Sequence, residues 1–389
     1  MNLKKLLFIA IVLFGLISCK PKQERHSLLL EGGTIIKVDP NRADDNVSAF
    51  DYFSNIEIIP LENSVDALLN THQSRFKING NRFYFLDIKD NVIHVFNSDG
   101  TLMHKSNKDG RGPGEFLMST AIEINPYTNN IEVLNPAGAI YIYDSLGVEY
   151  ISKIEISFPI GIHAIHEMVA ISPYKYLLFS QTDSEKNLFY YNADNHTHTS
   201  FNDYKFPKFL GQLGTKDSRG HFYNYKDTLR YYEGHNGNIW NINPESTELI
   251  PAYKWDFGEY TFDVSYIEEG QSTQYYVMTG MKLSAKYVVP ILEYIETDQF
   301  LTMRFRYKGV WKTAIYDKPS HSVKTFTKTT EEVIFAPRTI MYNNELYLHV
   351  AAQYVSLVVN DKVLDQKNRE ILKKIRDEDN DVIIKYTLK

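Results

Sequence analysis

The sequence predicts an all-β fold: a six-bladed β-propeller of four-stranded antiparallel blades, closed by an N-terminal strand, with one short helix near the C-terminus. Three observations carry that reading. First, a strand ending in a polar turn recurs: Val92 to Gly100 returns at Ala139 to Gly147, a step of 47 between the two glycines, then at Leu188 to Asn195, Asn238 to Pro244 and Trp311 to Pro319. Asn or Asp opens each turn, where its side chain can bond the backbone two residues on. Second, another strand-like run precedes every copy, at Arg82–Asp87, Asn130–Asn135, Tyr174–Ser180, Thr228–Glu233 and Gln299–Tyr307, and a sixth stands at Glu345–Val350. With a further strand before each, for example Ser119–Asn125 and Met168–Ser172, the unit is a propeller blade of roughly 45–50 residues. Third, the last unit ends early, at Val382–Leu388. The alternating run Ile56–Leu61 can supply its missing strand and close the ring, which otherwise leaves two open sheet edges.

At the N-terminus, Lys4-Lys5 precedes an apolar run from Leu6 to Leu16, followed by Ile17-Ser18-Cys19. This is the layout of a secretory leader, and the run is shorter than the roughly 20 residues that span a bilayer. The Leu-Ile-Ser-Cys end resembles the lipobox of bacterial lipoproteins, so residues 1–18 are expected to be a lipoprotein signal peptide and Cys19 the acylated residue. Residues 19–49 are read as lipidated cysteine and tether, and 50–389 as the propeller. Cys19 is the single cysteine among 389 residues, so no internal disulfide can form and the core must hold by burial. Loss of the leader removes two of the 42 basic residues, leaving 40 against 48 acidic, a net of −8. That balance argues against nucleic acid as a partner.

Aromatic residues make up 14% of the chain, with 28 Tyr and 22 Phe but only three Trp. This usage fits half-buried strands better than a carbohydrate platform. After the first blade comes Asp109-Gly110-Arg111-Gly112-Pro113-Gly114-Glu115-Phe116, where glycines open backbone torsions closed to other residues. It joins the outermost strand of one blade to the innermost of the next. Arg111, Glu115 and Phe116 are the candidate binding residues, with a tight structural crossing as the competing reading. Two longer insertions, at 258–286 and between Val350 and Val382, are natural places for partner contact. In the second, Ile371, Leu372 and Ile375 among charges predict the short helix.

Other constellations are weaker. His163, His166 and Glu167 lack either zincin order. His196-Thr197-His198 falls in an outer turn, and Asp377–Asp381 lacks the glycine and final glutamate of a calcium hand. No Gly-x-Ser-x-Gly elbow occurs. Neither metal nor cofactor is expected.

The lipobox, the Gly112–Phe116 loop, the Asn55–Glu62 strand and the tail Glu378–Tyr386 together resemble the six-bladed β-propeller lipoproteins of Bacteroides and its relatives. A proline is more usual in that family where Asp381 stands here. The resemblance implies fold and envelope location, and carries over no catalytic residue. The expectation is a lipid-anchored envelope protein, sorted to the outer membrane and facing the periplasm. It would bind or scaffold a peptide, glycan or protein. The alternative is a lactonase-like propeller enzyme gathering Glu123, Asn125, Asn224, Glu293 and Glu296 around a metal in the central channel.

Overall fold

The computed structural model describes residues 32–70, 74–157, 164–180, 188–201, 221–233, 237–243, 248–262, 273–336 and 339–389. The leader, Cys19 and His163 lie outside the described residues. Within them the predicted ring is present: six sheets follow one another, each of four antiparallel strands, and one carries a fifth.

The chain enters as β1 (Thr34–Lys37) and then β2 (Phe53–Pro60). Blade 1 is β3 (Ser74–Asn79), β4 (Arg82–Asp87), β5 (Val92–Asn97) and β6 (Leu102–Asn107). Blade 2 is β7 (Ala121–Ile124), β8 (Ile131–Asn135), β9 (Ala139–Tyr143) and β10 (Tyr150–Glu155). Blade 3 is β11 (Glu167–Ser172), β12 (Lys175–Phe179), β13 (Leu188–Asn192) and β14 (Thr197–Phe201). Blade 4 is β15 (Phe222–Tyr225), β16 (Thr228–Glu233), β17 (Asn238–Asn243) and β18 (Glu248–Asp256). Helix α1 (Thr273–Ser284) leads to blade 5: β19 (Val289–Glu296), β20 (Phe300–Tyr307), β21 (Val310–Asp317) and β22 (Ser322–Phe326). Blade 6 is β23 (Thr339–Tyr342), β24 (Glu345–Val350) and, after α2 (Val355–Val358) and α3 (Gln366–Leu372), β25 (Val382–Leu388).

Blade 6 closes as the sequence predicts. β2 pairs antiparallel with β25, from Phe53 opposite Leu388 to Pro60 opposite Val382. The free edge of β2 is then covered by α3, because the Ile58 N–H donates to Asn368 Oδ1 at 2.8 Å. Asp365 caps that helix by accepting from the Asn368 N–H, which fits the preference of Asp for this position. α3 is the predicted short helix, and α1 and α2 are further helices inside the two insertions.

The expected tether runs too far. Residues 34–49 belong to the domain: β1 lies parallel to β18 as a fifth strand of blade 4, and Ile36, Val38, Val47 and Ala49 are buried. The reason is local: Thr34 to Val38 is β-branched at four of five positions, and an outer strand offers an open edge to pair with.

Each blade packs on its neighbours through both faces, so the core is six apolar layers between blades. Tyr84, Leu86, Ile93 and Val95 of blade 1 meet Ile122, Ile124, Ile131 and Val133 of blade 2. The opposite face of blade 1, with Phe83, Phe85 and Phe96, meets Tyr347 and Ile383 of blade 6. A middle strand is therefore apolar without alternation, as in the fully buried run Phe83 to Asp87. An outer strand such as β6 alternates. This two-sided burial accounts for the aromatic content: large rings fill the widening gaps between radiating sheets.

Candidate functional site

The rim loop 108–120 is tied at many points. Its ends meet where the Phe116 N–H donates to the Lys108 carbonyl at 2.8 Å, and Asn91 Nδ2 reaches both Asp109 Oδ1 and the Phe116 carbonyl. Inside, the Gly112 N–H donates to Glu115 Oε2 at 2.8 Å, and the Tyr143 hydroxyl donates to the Gly114 carbonyl at 2.6 Å. Two glycines are obligatory. Gly110 has φ +153° and a Cβ there would stand 1.9 Å from Glu115 Oε2, while at Gly114, φ +75°, it would meet the Tyr150 ring at 2.6 Å. Both torsions are left-handed, where side chains are strained in any case.

The three candidate residues separate accordingly. Phe116 is 2% exposed and packs on Tyr141 in the layer between blades 1 and 2, so it belongs to the core. Glu115 folds back onto its own loop. Arg111 is exposed at the tip and takes no partner among the described residues. Leu117 and Met118, which sequence reading passed over, are 53% and 59% exposed, and Val148 is 50% exposed. Val148 adjoins the loop, since its carbonyl accepts from Lys108 Nζ. The signal was present in Phe116-Leu117-Met118: three large apolar residues after a tight turn cannot all enter one layer. Contacts with Tyr143, Tyr150 and Val148 hold the loop against the outer half of blade 2.

Toward the axis, the inner strands are joined by polar clamps. Lys77 of β3 pairs with Glu123 of β7 at 2.7 Å. Burial works against the Lys77 ammonium, but Glu123 and more distant Glu167 hold its pKa above the usual lysine value. Glu167 of β11 accepts from the backbone N–H groups of His221 and Phe222 and contacts His221 Nδ1 at 3.0 Å. Between blades 4 and 5, Glu296 is fully buried. Arg230 grips it through two nitrogens at 3.0 and 3.1 Å, with Lys318 Nζ and the Tyr223 hydroxyl each at 2.9 Å. Such fork geometry gives direction as well as charge compensation.

The residues named for a metal ring are thus dispersed. Glu123 is spent on Lys77, and Asn125 Nδ2 donates to Glu132 at 2.8 Å. Glu296 is spent on its cations, and Asn224 lines a cleft of about 450 Å³ between blades 3 and 4, with Tyr127, Val169, Leu229 and Ile242. The Glu293 side chain lies outside the description. Among the described residues no three His, Cys, Asp or Glu side chains are grouped to hold a metal. His166 and Glu167 sit at the start of β11 and His196 in the turn before β14, its Nδ1 3.1 Å from the Tyr191 hydroxyl. The acidic tail is structural: Asn380 Nδ2 donates to the carbonyls of Glu62 and Ala67 at 2.8 Å each, and Asp381 pairs with His349.

Residues 33–387 match the profile of a family described as Domain of unknown function (DUF4934). Among solved structures, the BF0058 protein of Bacteroides fragilis, described as exported, superposes with a TM-score of 0.71 at 14% identity, covering 92% of this chain and 100% of that chain. A member of the DUF4221 family from Bacteroides vulgatus superposes with a TM-score of 0.51 at 10% identity, covering 87% and 97%. At these identities the likeness is one of fold. No curated protein matches the chain.

Proposed function

The chain belongs to the DUF4934 family, and from that premise we propose that it is an extracytoplasmic, lipid-anchored propeller that binds a partner and does not catalyse. Two features support the location: the leader ending in Cys19, and the structural likeness to a Bacteroides protein described as exported. The lipid on Cys19 would hold the domain at the outer membrane on its periplasmic face. The observation that carries the binding reading is the rim loop of blade 2. A guanidinium without a partner among the described residues is presented on a backbone held by Glu115, Asn91 and Tyr143, beside exposed Leu117 and Met118. A cation and an apolar patch on a rigid loop lose little freedom on binding, and Arg can fork onto a carboxylate of a peptide or protein.

The test is capture from detergent-solubilised membranes of the native organism, comparing wild type with Arg111→Ala and with Leu117→Ser/Met118→Ser. Arg111 is exposed and makes no bond to another described residue, so the melting temperature should stay within about 1 °C of wild type, as for surface substitutions generally, while the captured partner is lost. Unchanged capture by both variants would remove this loop from the binding site.

A further inference from the structure

Blade 5 carries a projecting hairpin. β20 and β21 run eight residues each, yet the outer strand pairs only with Thr313 to Asp317, so the tip runs on beyond the end of the outer strand. Its turn is Lys308-Gly309, with φ +50° and +77°, the double left-handed geometry that continues strand twist in tight hairpins. Nothing lies within 4 Å of a Cβ placed at Gly309. On this tip Val310 and Trp311 are 45% and 41% exposed. The guanidinium carbons of Arg304 and Arg306 stand 5.2 and 5.8 Å from the Trp311 ring centroid, within cation–π range.

The local charge runs against that of the whole chain. Residues 299–316 contain Arg304, Arg306, Lys308 and Lys312 and no acid, and residues 273–292 add Lys282 and Lys286, again with no acid. The two segments are joined, since the Lys308 N–H donates to the Ser284 carbonyl at 2.9 Å. Lys308 Nζ reaches Asn41 Oδ1 at 3.0 Å, and Lys312 Nζ reaches the carbonyls of Pro40 and Arg42 at 2.8 and 3.1 Å. These neutral acceptors position the ammoniums without cancelling their charge, and Asp39 is the carboxylate that acts on Lys312. Arg306, Lys308 and Lys312 on the hairpin and Lys282 on α1 outnumber Asp39 and Glu259, the carboxylates of the described segments packed against them, and leave a local field that attracts anions.

We propose that this rim, formed by the end of α1 and the 304–312 hairpin, docks on an anionic phospholipid bilayer, with Trp311 and Val310 seated among the headgroups. An indole ring favours the membrane interface because its body is apolar and its N–H stays hydrated. Arg and Lys around it meet phosphates, an attraction that salt screens. The inference uses the lipid-anchor reading only as what brings the rim near a bilayer. The residues between Cys19 and Thr34 can extend roughly 45 Å at 3.3 Å each, enough for anchor and rim to share one surface.

Of the three tryptophans, Trp255 is buried, Trp240 half-buried and Trp311 exposed, so fluorescence reports on the tip. The full chain is reconstituted on vesicles of phosphatidylcholine alone, or mixed with phosphatidylglycerol, with brominated acyl chains as quencher. On the mixed vesicles bromine should quench part of the emission. Trp311→Phe should abolish that quenching, Arg304→Gln/Arg306→Gln should weaken it severalfold, and raised salt should suppress it. Flotation on neutral vesicles reports the acyl anchor separately. Flotation only on anionic vesicles, with Trp311 quenched, retires the anchor and keeps the rim. Flotation on both without quenching keeps the anchor and overturns the rim. Capture of a soluble acidic protein through Trp311, with no quenching by lipid, likewise overturns it.

Discussion

At the scale of single residues, the most consequential group is Glu132, 1% exposed on β8 between blades 2 and 3. Its Oε1 accepts from Asn125 Nδ2 and from the Tyr176 hydroxyl at 3.0 Å, while Oε2 is buried with no hydrogen-bond partner among the described residues. Burial dominates, and despite the two hydrogen bonds the carboxyl is pushed from 4.5 up to about 7. The sign follows from proton counting. Between 4.5 and about 7 the unfolded chain has released this proton and the folded chain retains it, so stability falls as pH rises through that window. The loss is on the order of 3 kcal/mol once both states are ionised. Glu132→Gln cannot ionise, and urea melts should show wild type losing stability between mildly acidic and mildly alkaline pH while the variant holds level. Parallel pH curves for the two proteins would show that Glu132 does not titrate in this window. None of this was legible in Ile131-Glu132-Val133, where alternation places a polar residue between apolar ones. Only a blade packed on each face turns that position inward.

At the scale of elements, closing strand and covering helix form one unit. β2 fills the outer position of blade 6, and α3 satisfies its outward Ile58 N–H. Asn368→Ala should cost about 1–3 kcal/mol, because it strands a buried donor, whereas deleting residues 51–62 should abolish cooperative melting and expose an edge that recruits other chains. Thermal unfolding of the two variants checks both, and a deletion that melts at the wild-type midpoint would place this strand outside the fold's cooperative unit. The strand itself was legible from its alternation and from the truncated last repeat. Its cover was not: the apolar residues at the end of α3 and just beyond it, Ile371, Leu372 and Ile375, were visible, but no periodicity says that an asparagine beside them will meet a backbone amide more than 300 residues earlier.

At the scale of the whole molecule, six blades held by apolar layers and polar clamps give a rigid body without disulfides. Its attachment is expected to be covalent through Cys19 and electrostatic through the blade 5 rim. Cys19→Ser should therefore move the protein out of the detergent phase on phase partitioning, yet leave a fraction on native membranes that high salt releases. Retention in the detergent phase would refute acylation at Cys19, since the chain has no other thiol.

By itself the sequence determined what depends on local order along the chain: blade number, strand sites, ring closure, the C-terminal helix and the need for glycine in the loop from Gly110 to Gly114. These follow from periodicity, turn chemistry and the length of the repeat, all short-range properties. The tertiary structure alone decided which polar side chains are spent. Glu123 and Glu296 were candidates for a channel site until Lys77, Arg230 and Lys318 arrived from other strands, and Phe116 was a candidate contact until blade 2 closed over it. It likewise left Arg111 without a partner among the described residues and carried Trp311 beyond the end of its blade's outer strand. The reason is physical: a side chain's free capacity to bind is set by its neighbours in space, and in a ring of radiating sheets most of those neighbours come from a different blade.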